Sequence, residues 1–237
     1  ENDVLARLGR VSHKALLPVA GRPMLSRVLR TLVRTPGLGR VTVSIEQPGC
    51  ISGILGTAHT ITAASSPSES VAEAIERIGT PCLVTTADHA LLRPEWITEF
   101  LSQTNGCDLA VGVALRSTVE RDVPTTKRTY IRLSDMQFSG CNLFWLGTSE
   151  SKAVVELWQR LQQNRKRPLK MALTLGVGTL LKALFGKLDS KGLCDRIEYL
   201  TGARVRLVPL SDGRAAVDVD KPSDLKLAEK LLAADPV

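Results

Sequence analysis

Two strand-like stretches of this chain end in carboxylates, and a lone lysine precedes a run of residues that no plain helix or loop needs. "PCLVTTAD" (81–88) is near-continuously apolar until it closes on Asp88, and "AAVDVD" (215–220) closes on Asp218 and Asp220. A buried strand gains nothing by packing an aspartate, so each carboxylate calls for a hydrogen-bond, capping or metal partner. Upstream, "HKALLPVAGRPMLSRVL" (13–29) sets Lys14 before an apolar run, then Pro18, Gly21 and Pro23, and only then a helical pattern. Two carboxylate sites and one lysine suit a hard cation with phosphate groups: magnesium takes few carboxylates and fills its shell with waters and phosphate oxygens, and an ammonium is a point charge for phosphate. The plain alternatives are a helix or turn cap for Asp88, a cap of the last helix for one of Asp218 and Asp220, and a solvated lysine.

These residues need elements to hold them. At 237 residues and 43% hydrophobic the chain is expected to form one domain (1–237) with a large, mainly aliphatic core, aromatics being only 4%. Strand-like stretches alternate with helical ones. "MLSRVLRTLVRT" (24–35) has helical spacing and stops at Pro36-Gly37; "RVTVSIE" (40–46) alternates as a strand; "SVAEAIERI" (70–78) is a helix that Ser68 or Ser70 could cap. "RPEWITEFLSQT" (93–104) is a helix with proline in its first turn; "DLAVGVAL" (108–115) and "FSGCNLFWL" (138–146) are strands, followed by a helix from about Glu150 to Gln163. The region from Leu169 to Leu188 reads as helical, "ARVRLVPL" and "AAVDVD" as late strands, and "KPSDLKLAEKLLA" (221–233) as a closing helix. Such alternation predicts an α/β architecture, a mostly parallel sheet with helices on both faces, whose ligands sit beyond the carboxyl ends of the strands. Residues 116–137 break the rhythm as a possible excursion.

Composition limits the partners. The net charge of +7 favours an anionic ligand. Basic residues are not interleaved with aromatics, so no nucleic-acid partner is expected; the one dense run, "RKRPLK" (165–170), reads as a turn or phosphate contact. No stretch has the length of a membrane span, and the chain opens without an apolar leader, so a cytoplasmic protein is expected. The five scattered cysteines show neither zinc nor redox spacing and read as reduced thiols. Arg121, Lys127, Arg128 and Arg132 give the excursion a positive character, fitting either a grip on an anionic acceptor or a solvated hairpin.

Three of these stretches together resemble one family. "HKALLPVAGRPMLSRVL" looks like the segment of nucleotidyltransferases that carries a lysine, an apolar run and a G-x-P-M/L-L step into a helix. "VTTADHALL" resembles their strand ending in aspartate, and "VDVDKPSDLKLAEKLL" their closing D-x-D-T-P-x-D-L strand and helix. In this order the three resemble the MobA-like NTP transferases. The resemblance implies a Rossmann-like three-layer sandwich of the nucleotide-diphospho-sugar transferase type. It implies Mg²⁺-dependent transfer of a nucleoside monophosphate from an NTP to a small anionic acceptor, with release of pyrophosphate. Carried over by position, Asp88 and Asp220, with Asp218 beside them, would hold Mg²⁺, and Lys14 would stabilise phosphate charge. Ser68 and Ser70 would lie near the nucleotide, Gly140 and Asn142 near the acceptor. The family's glycine-rich loop has no counterpart in "ENDVLARLGRVSH", where Gly9 is the only glycine, so further residues are expected before Glu1. His89-Ala90 also stands where the family often has a proline. Two other readings share the fold: a glycosyltransferase using a nucleotide-sugar donor, and a degenerate nucleotide-binding or regulatory module.

Overall fold

A computed structural model describes residues 4–164 and 174–235. The chain enters through a short helix α1 (Val4–Gly9) and a single 3₁₀ turn at Lys14–Leu16. A minimal hairpin follows, β1 (Pro18–Val19) against β2 (Arg22–Pro23), leading directly into helix α2 (Met24–Arg34). Ala20 and Gly21 turn this hairpin with φ of 47° and 78°. A two-residue hairpin turn with both φ positive needs a residue such as glycine in its loop, which accounts for Gly21. Pro18 and Pro23 then sit opposite each other in the ladder, and Arg27 locks the turn to α2 by donating from Nε to the Val19 carbonyl (2.8 Å) and from Nη2 to that of Ala20 (3.0 Å). Helix α2 buries Met24, Leu25, Val28 and Leu29 and turns its arginines outward.

Strand β3 (Thr42–Ile45) pairs in parallel with β4 (His59–Thr62). Helix α3 (Pro67–Ile78) leads to β5 (Cys82–Thr85), and α4 (Pro94–Ser102) follows it. Strand β6 (Leu109–Leu115) continues into helix α5 (Arg116–Asp122); β7 (Ile131–Arg132) and the long β8 (Gln137–Leu146) come next. The order β5-β8-β6-β9, with β9 at Val205–Pro209 and β7 on the end of β8, makes the main sheet. Strand β8 is antiparallel to both β5 and β6, and β6 is parallel to β9. Strands β5, β6 and β9 therefore run one way and β8 the other. Strands β3 and β4 share no ladder with β5 among the described residues, so one edge of β3 and one of β5 are unpaired.

Helices cover the sheet, as the alternation predicts. The main core gathers Leu17, Met24 and Val28 with Ile97, Phe100, Ala110 and Leu143, while α3 and α6 (Ser151–Asn164) cover the other side through Ile75, Val154 and Val155. One buried carboxylate fixes the start of β6: Asp108, 5% exposed, takes Arg204 and Thr148 as partners. Helices α7 (Val177–Leu184) and α8 (Ser190–Thr201) precede β9; the first falls in the region expected to be helical, and the second has no counterpart in the sequence reading. The "RKRPLK" run and part of the expected helix after Leu169 lie outside the described residues. No helix among the described residues is long and apolar enough to cross a membrane.

Two local expectations are corrected, and the course of residues 116–137 is now defined. Ser66, not Ser68 or Ser70, caps α3 by accepting from the Glu69 N–H, because Pro67 occupies the first helical position. Residues 116–137 begin as a helix and close as β7 on β8. The "AAVDVD" stretch is no ladder strand: Gly213–Ala216 make a 3₁₀ turn, and residues 217–220 run on without strand pairing. Its alternation is real, with Val217 and Val219 buried, but alternation reports one buried face and not a hydrogen-bonded neighbour. Gly213 allows the close approach, since a Cβ there would stand 2.5 Å from the Thr118 carbonyl oxygen.

Candidate active site

The loop after β5 and the segment 217–220 meet where the 3₁₀ turn begins, at Lys14. Lys14 Nζ donates to Asp88 Oδ2 at 2.8 Å and to Asp220 Oδ1 at 2.7 Å. One ammonium is thus shared by two carboxylates from distant parts of the chain. The main chain clamps the same junction: Val219 N–H donates to the Asp88 carbonyl at 3.1 Å. Thr86 Oγ1 donates to the second Asp88 oxygen at 2.5 Å, so each oxygen of that carboxylate has a protein partner. Asp224, in the first turn of the last helix α9 (Pro222–Ala234), accepts from the N–H groups of Asp220 (3.3 Å) and Lys221 (3.2 Å) and sets the direction of the Asp220 segment.

Exposure differs across the trio. The side chains of Lys14 and Asp88 are 23% exposed and that of Asp220 is 62% exposed, so the group is rooted in the protein and opens to solvent on the Asp220 side. Burial acts to lower the Lys14 pKa, and the charges and hydrogen bonds of Asp88 and Asp220 outweigh it, holding the ammonium above its ordinary value. Burial likewise acts to raise Asp88, but Lys14 and the Thr86 hydroxyl prevail and the carboxyl is held below its usual range. Both groups are therefore charged at neutral pH.

Asp218 faces a different set. Its Oδ1 lies 2.6 Å from Arg128 Nη2 and its Oδ2 accepts from Asn142 Nδ2 at 2.9 Å. Burial raises its pKa against the pull of Arg128, and the nearby Asp220 and Asp88 add to the rise. Asn142 takes the left-handed conformation (φ 50°) within β8, an uncommon backbone state that turns its amide toward Asp218. Gly140, two positions earlier in the same strand, is exposed, and a Cβ placed there would meet nothing within 4 Å. The excursion is thus no plain solvated hairpin: the Arg128 side chain is only 13% exposed, whereas Lys127 is exposed and without an ion-pair partner among the described residues.

The fold therefore brings Lys14, Asp88 and Asp220 into one cluster, with Asp218, Arg128 and Asn142 as its neighbour through residues 218–220. Both Asp218 oxygens, like those of Asp88, have protein partners here, and this residue anchors Arg128 and Asn142 beside the Lys14 cluster. Ser68 and Ser70 are not drawn in. Ser68 is buried and donates to Gln162 Oε1, and the Ser70 hydroxyl bridges Ala64 N–H and the Ser66 carbonyl. Sequence reasoning missed Thr86 and Asp224. The second was signalled by "KPSD", an acidic residue placed to receive the free N–H groups at a helix start; the first by the polar "TT" at the end of an otherwise apolar strand.

Asp88 and Asp220 are the carboxylates of this cluster that could hold a hard cation. No group of three or more Asp, Glu, His or Cys side chains with metal-binding geometry exists among the described residues. Two carboxylates suffice for magnesium when phosphate oxygens and water supply the remainder, and here a cation, the Lys14 ammonium, already lies between the two.

The MobA-like NTP transferase domain model matches residues 6–204. Among solved structures, the chain is similar to a hypothetical transferase from Thermus thermophilus, with 32% identity, 93% of each chain covered and a TM-score of 0.80. It also matches a CMP:2-keto-3-deoxy-manno-octonic acid synthetase complexed with CTP (14% identity, 94% of this chain and 92% of that one, TM-score 0.61). A third match is a 2-C-methyl-D-erythritol 4-phosphate cytidylyltransferase, also from Thermus thermophilus (18% identity, 93% of each chain, TM-score 0.52). The last two bear on the fold alone. No curated protein gives a significant match.

Proposed function

The chain belongs to the MobA-like NTP transferase family, and from that premise we propose that it moves a nucleoside monophosphate from an NTP to a small anionic acceptor, with Mg²⁺ and with release of pyrophosphate. The observation that carries this reading is the sharing of the Lys14 ammonium between Asp88 and Asp220. In the reaction, an oxygen of the acceptor attacks the α-phosphorus of the NTP, a new P–O bond forms, and the bond to the pyrophosphate oxygen breaks. Such a transfer needs alignment and neutralisation of charge more than an acid–base pair.

Each residue has a part in that chemistry. Asp88 and Asp220 would hold Mg²⁺, which when bound neutralises phosphate charge and aligns the triphosphate. Lys14, displaced from its carboxylates toward the phosphates, would stabilise charge that develops on the α-phosphoryl and leaving oxygens. Thr86 and the Val219 N–H keep Asp88 oriented while Lys14 moves. Arg128, fixed on Asp218, and the exposed charge of Lys127 would face an anionic acceptor, for which the open space at Gly140 and the Asn142 amide would supply room and a donor.

Thermal unfolding with ATP, GTP, CTP and UTP in turn, each with and without Mg²⁺, tests the reading against Asp88→Ala. A ligand at 100 times its Kd adds about 2.7 kcal/mol, so a magnesium-dependent shift with one base, absent in the variant, is the expected result. Stability indifferent to every nucleotide would count against it.

A further inference from the structure

A second concentration of positive charge lies away from the cluster just described. Five arginines, Arg22, Arg27, Arg30, Arg34 and Arg93, line a cavity of about 210 Å³ between α2 and the start of α4, with Glu95 as its single carboxylate among the described residues. None of these residues belongs to the Lys14 centre. The sequence dictates the crowding. Arg27, Arg30 and Arg34 recur at helical spacing on the face of α2 opposite its buried Met24, Leu25, Val28 and Leu29, so packing that face inward must bring all three guanidiniums to one side.

The cavity is built and not merely lined by loose side chains. Arg27 is anchored to the Val19 and Ala20 carbonyls. Arg93 is held by the Asp235 carboxylate at 2.9 Å and lies 5.8 Å from the Trp96 ring centre. Helix α2 is tied to the loop that enters α4, since Thr31 Oγ1 donates to the Leu92 carbonyl at 2.9 Å. Against this fixed wall, the side chains of Arg22, Arg30 and Arg34 have neither ion-pair nor hydrogen-bond partners among the described residues. Burial first, and the like charge of Arg22 second, push the Arg27 pKa down. Guanidinium forks match phosphate oxygens in pairs. The volume is below the range of drug-sized pockets, which favours a compact anion over a nucleotide base with its sugar.

We propose that the arginine cleft between α2 and α4 binds a compact oligophosphate anion, at a place distinct from the Lys14 centre. Calorimetric titration of tripolyphosphate in EDTA, where no magnesium serves the Lys14 centre, tests it on the whole chain. The comparison runs through Lys14→Ala, Arg30→Ala/Arg34→Ala and Arg30→Lys/Arg34→Lys; Arg30 and Arg34 are exposed, so their removal spares the core. Tripolyphosphate is expected to bind Lys14→Ala as it binds the parent, and to bind the double alanine variant roughly 10-fold or more weakly, the size of losing a hydrogen bond to a charged group. The lysine variant is expected to be weakened too, because it keeps the charge and loses the fork. Absence of binding, loss on removal of Lys14 alone, or full retention in the lysine variant would each overturn the proposal. So would a single-stranded oligonucleotide that binds the same arginines more tightly than tripolyphosphate, since that marks an extended polyanion surface.

Discussion

Lys14 and Asp220 are separated by 206 positions in the chain and by 2.7 Å in the fold, with Asp88 on the other side of the same ammonium at 2.8 Å. The closing segment of the chain thus completes a site begun near its start, and the Asp88 main chain, bonded to Val219, is the joint between them.

Replacing Lys14 by Ala is expected to lower turnover by about 10²–10³-fold, the cost of losing one preorganised charge at a reacting phosphate. Stability should fall by only about 1–2 kcal/mol, because Asp88 keeps the Thr86 hydroxyl. Steady-state kinetics beside a thermal melt separate the two. A large loss of melting temperature with normal turnover would make Lys14 a structural residue.

Asp88→Asn keeps the shape and the hydrogen bond to Thr86 and removes the charge that would hold Mg²⁺. Activity as a function of magnesium concentration should then need far more metal for half-maximal rate, while the melt without nucleotide changes little. An unchanged magnesium dependence would remove Asp88 from the metal's shell.

Arg128→Ala strands the Asp218 carboxylate, whose side chain is 14% exposed, with only Asn142 as a partner. Loss of one member of such a pair is expected to cost about 3 kcal/mol in denaturant unfolding. Arg128→Ala combined with Asp218→Asn should recover much of that loss, since the stranded charge is gone. Strict additivity of the two substitutions would show that the residues do not interact.

His89 supplies the pH dependence. It is 1% exposed, stacks on Trp96 at 5.9 Å between ring centres, and burial pushes its pKa from 6.5 down to about 4. The folded protein therefore binds its proton less readily than the unfolded chain. Its contribution is complete above about pH 6.5 and is lost as the pH falls toward 4, by up to roughly 3 kcal/mol. Stability measured from pH 7 to 4 should decline in the parent and decline less in His89→Phe; parallel curves would contradict it.

The residues of the site were legible because their chemistry is out of place locally. An aspartate at the end of an apolar strand, a lysine before a proline-glycine-proline turn, and an alternating "VDVD" need explanations that packing does not give. The strands and helices were legible because period-2 and period-3.6 burial is written in side-chain order. Excess arginine on α2 was equally plain in "RVLRTLVR", though its meaning was not.

Tertiary structure decided which of these residues meet. Nothing local tells "VDVD" to cross the Asp88 loop instead of joining the sheet; that depends on Gly213 letting the preceding turn press against α5. Nothing local tells Arg128 to leave solvent, because its partner Asp218 is supplied from far along the chain. Ser68 and Ser70 show the reverse case, since helix packing and a turn claimed hydroxyls that sequence offered to a ligand. Side-chain order fixes which face of each element is apolar, through local periodicity and solvation. The contacts among polar groups were settled only when the apolar faces had closed, because a hydrogen bond between distant residues requires the whole intervening chain to be in place.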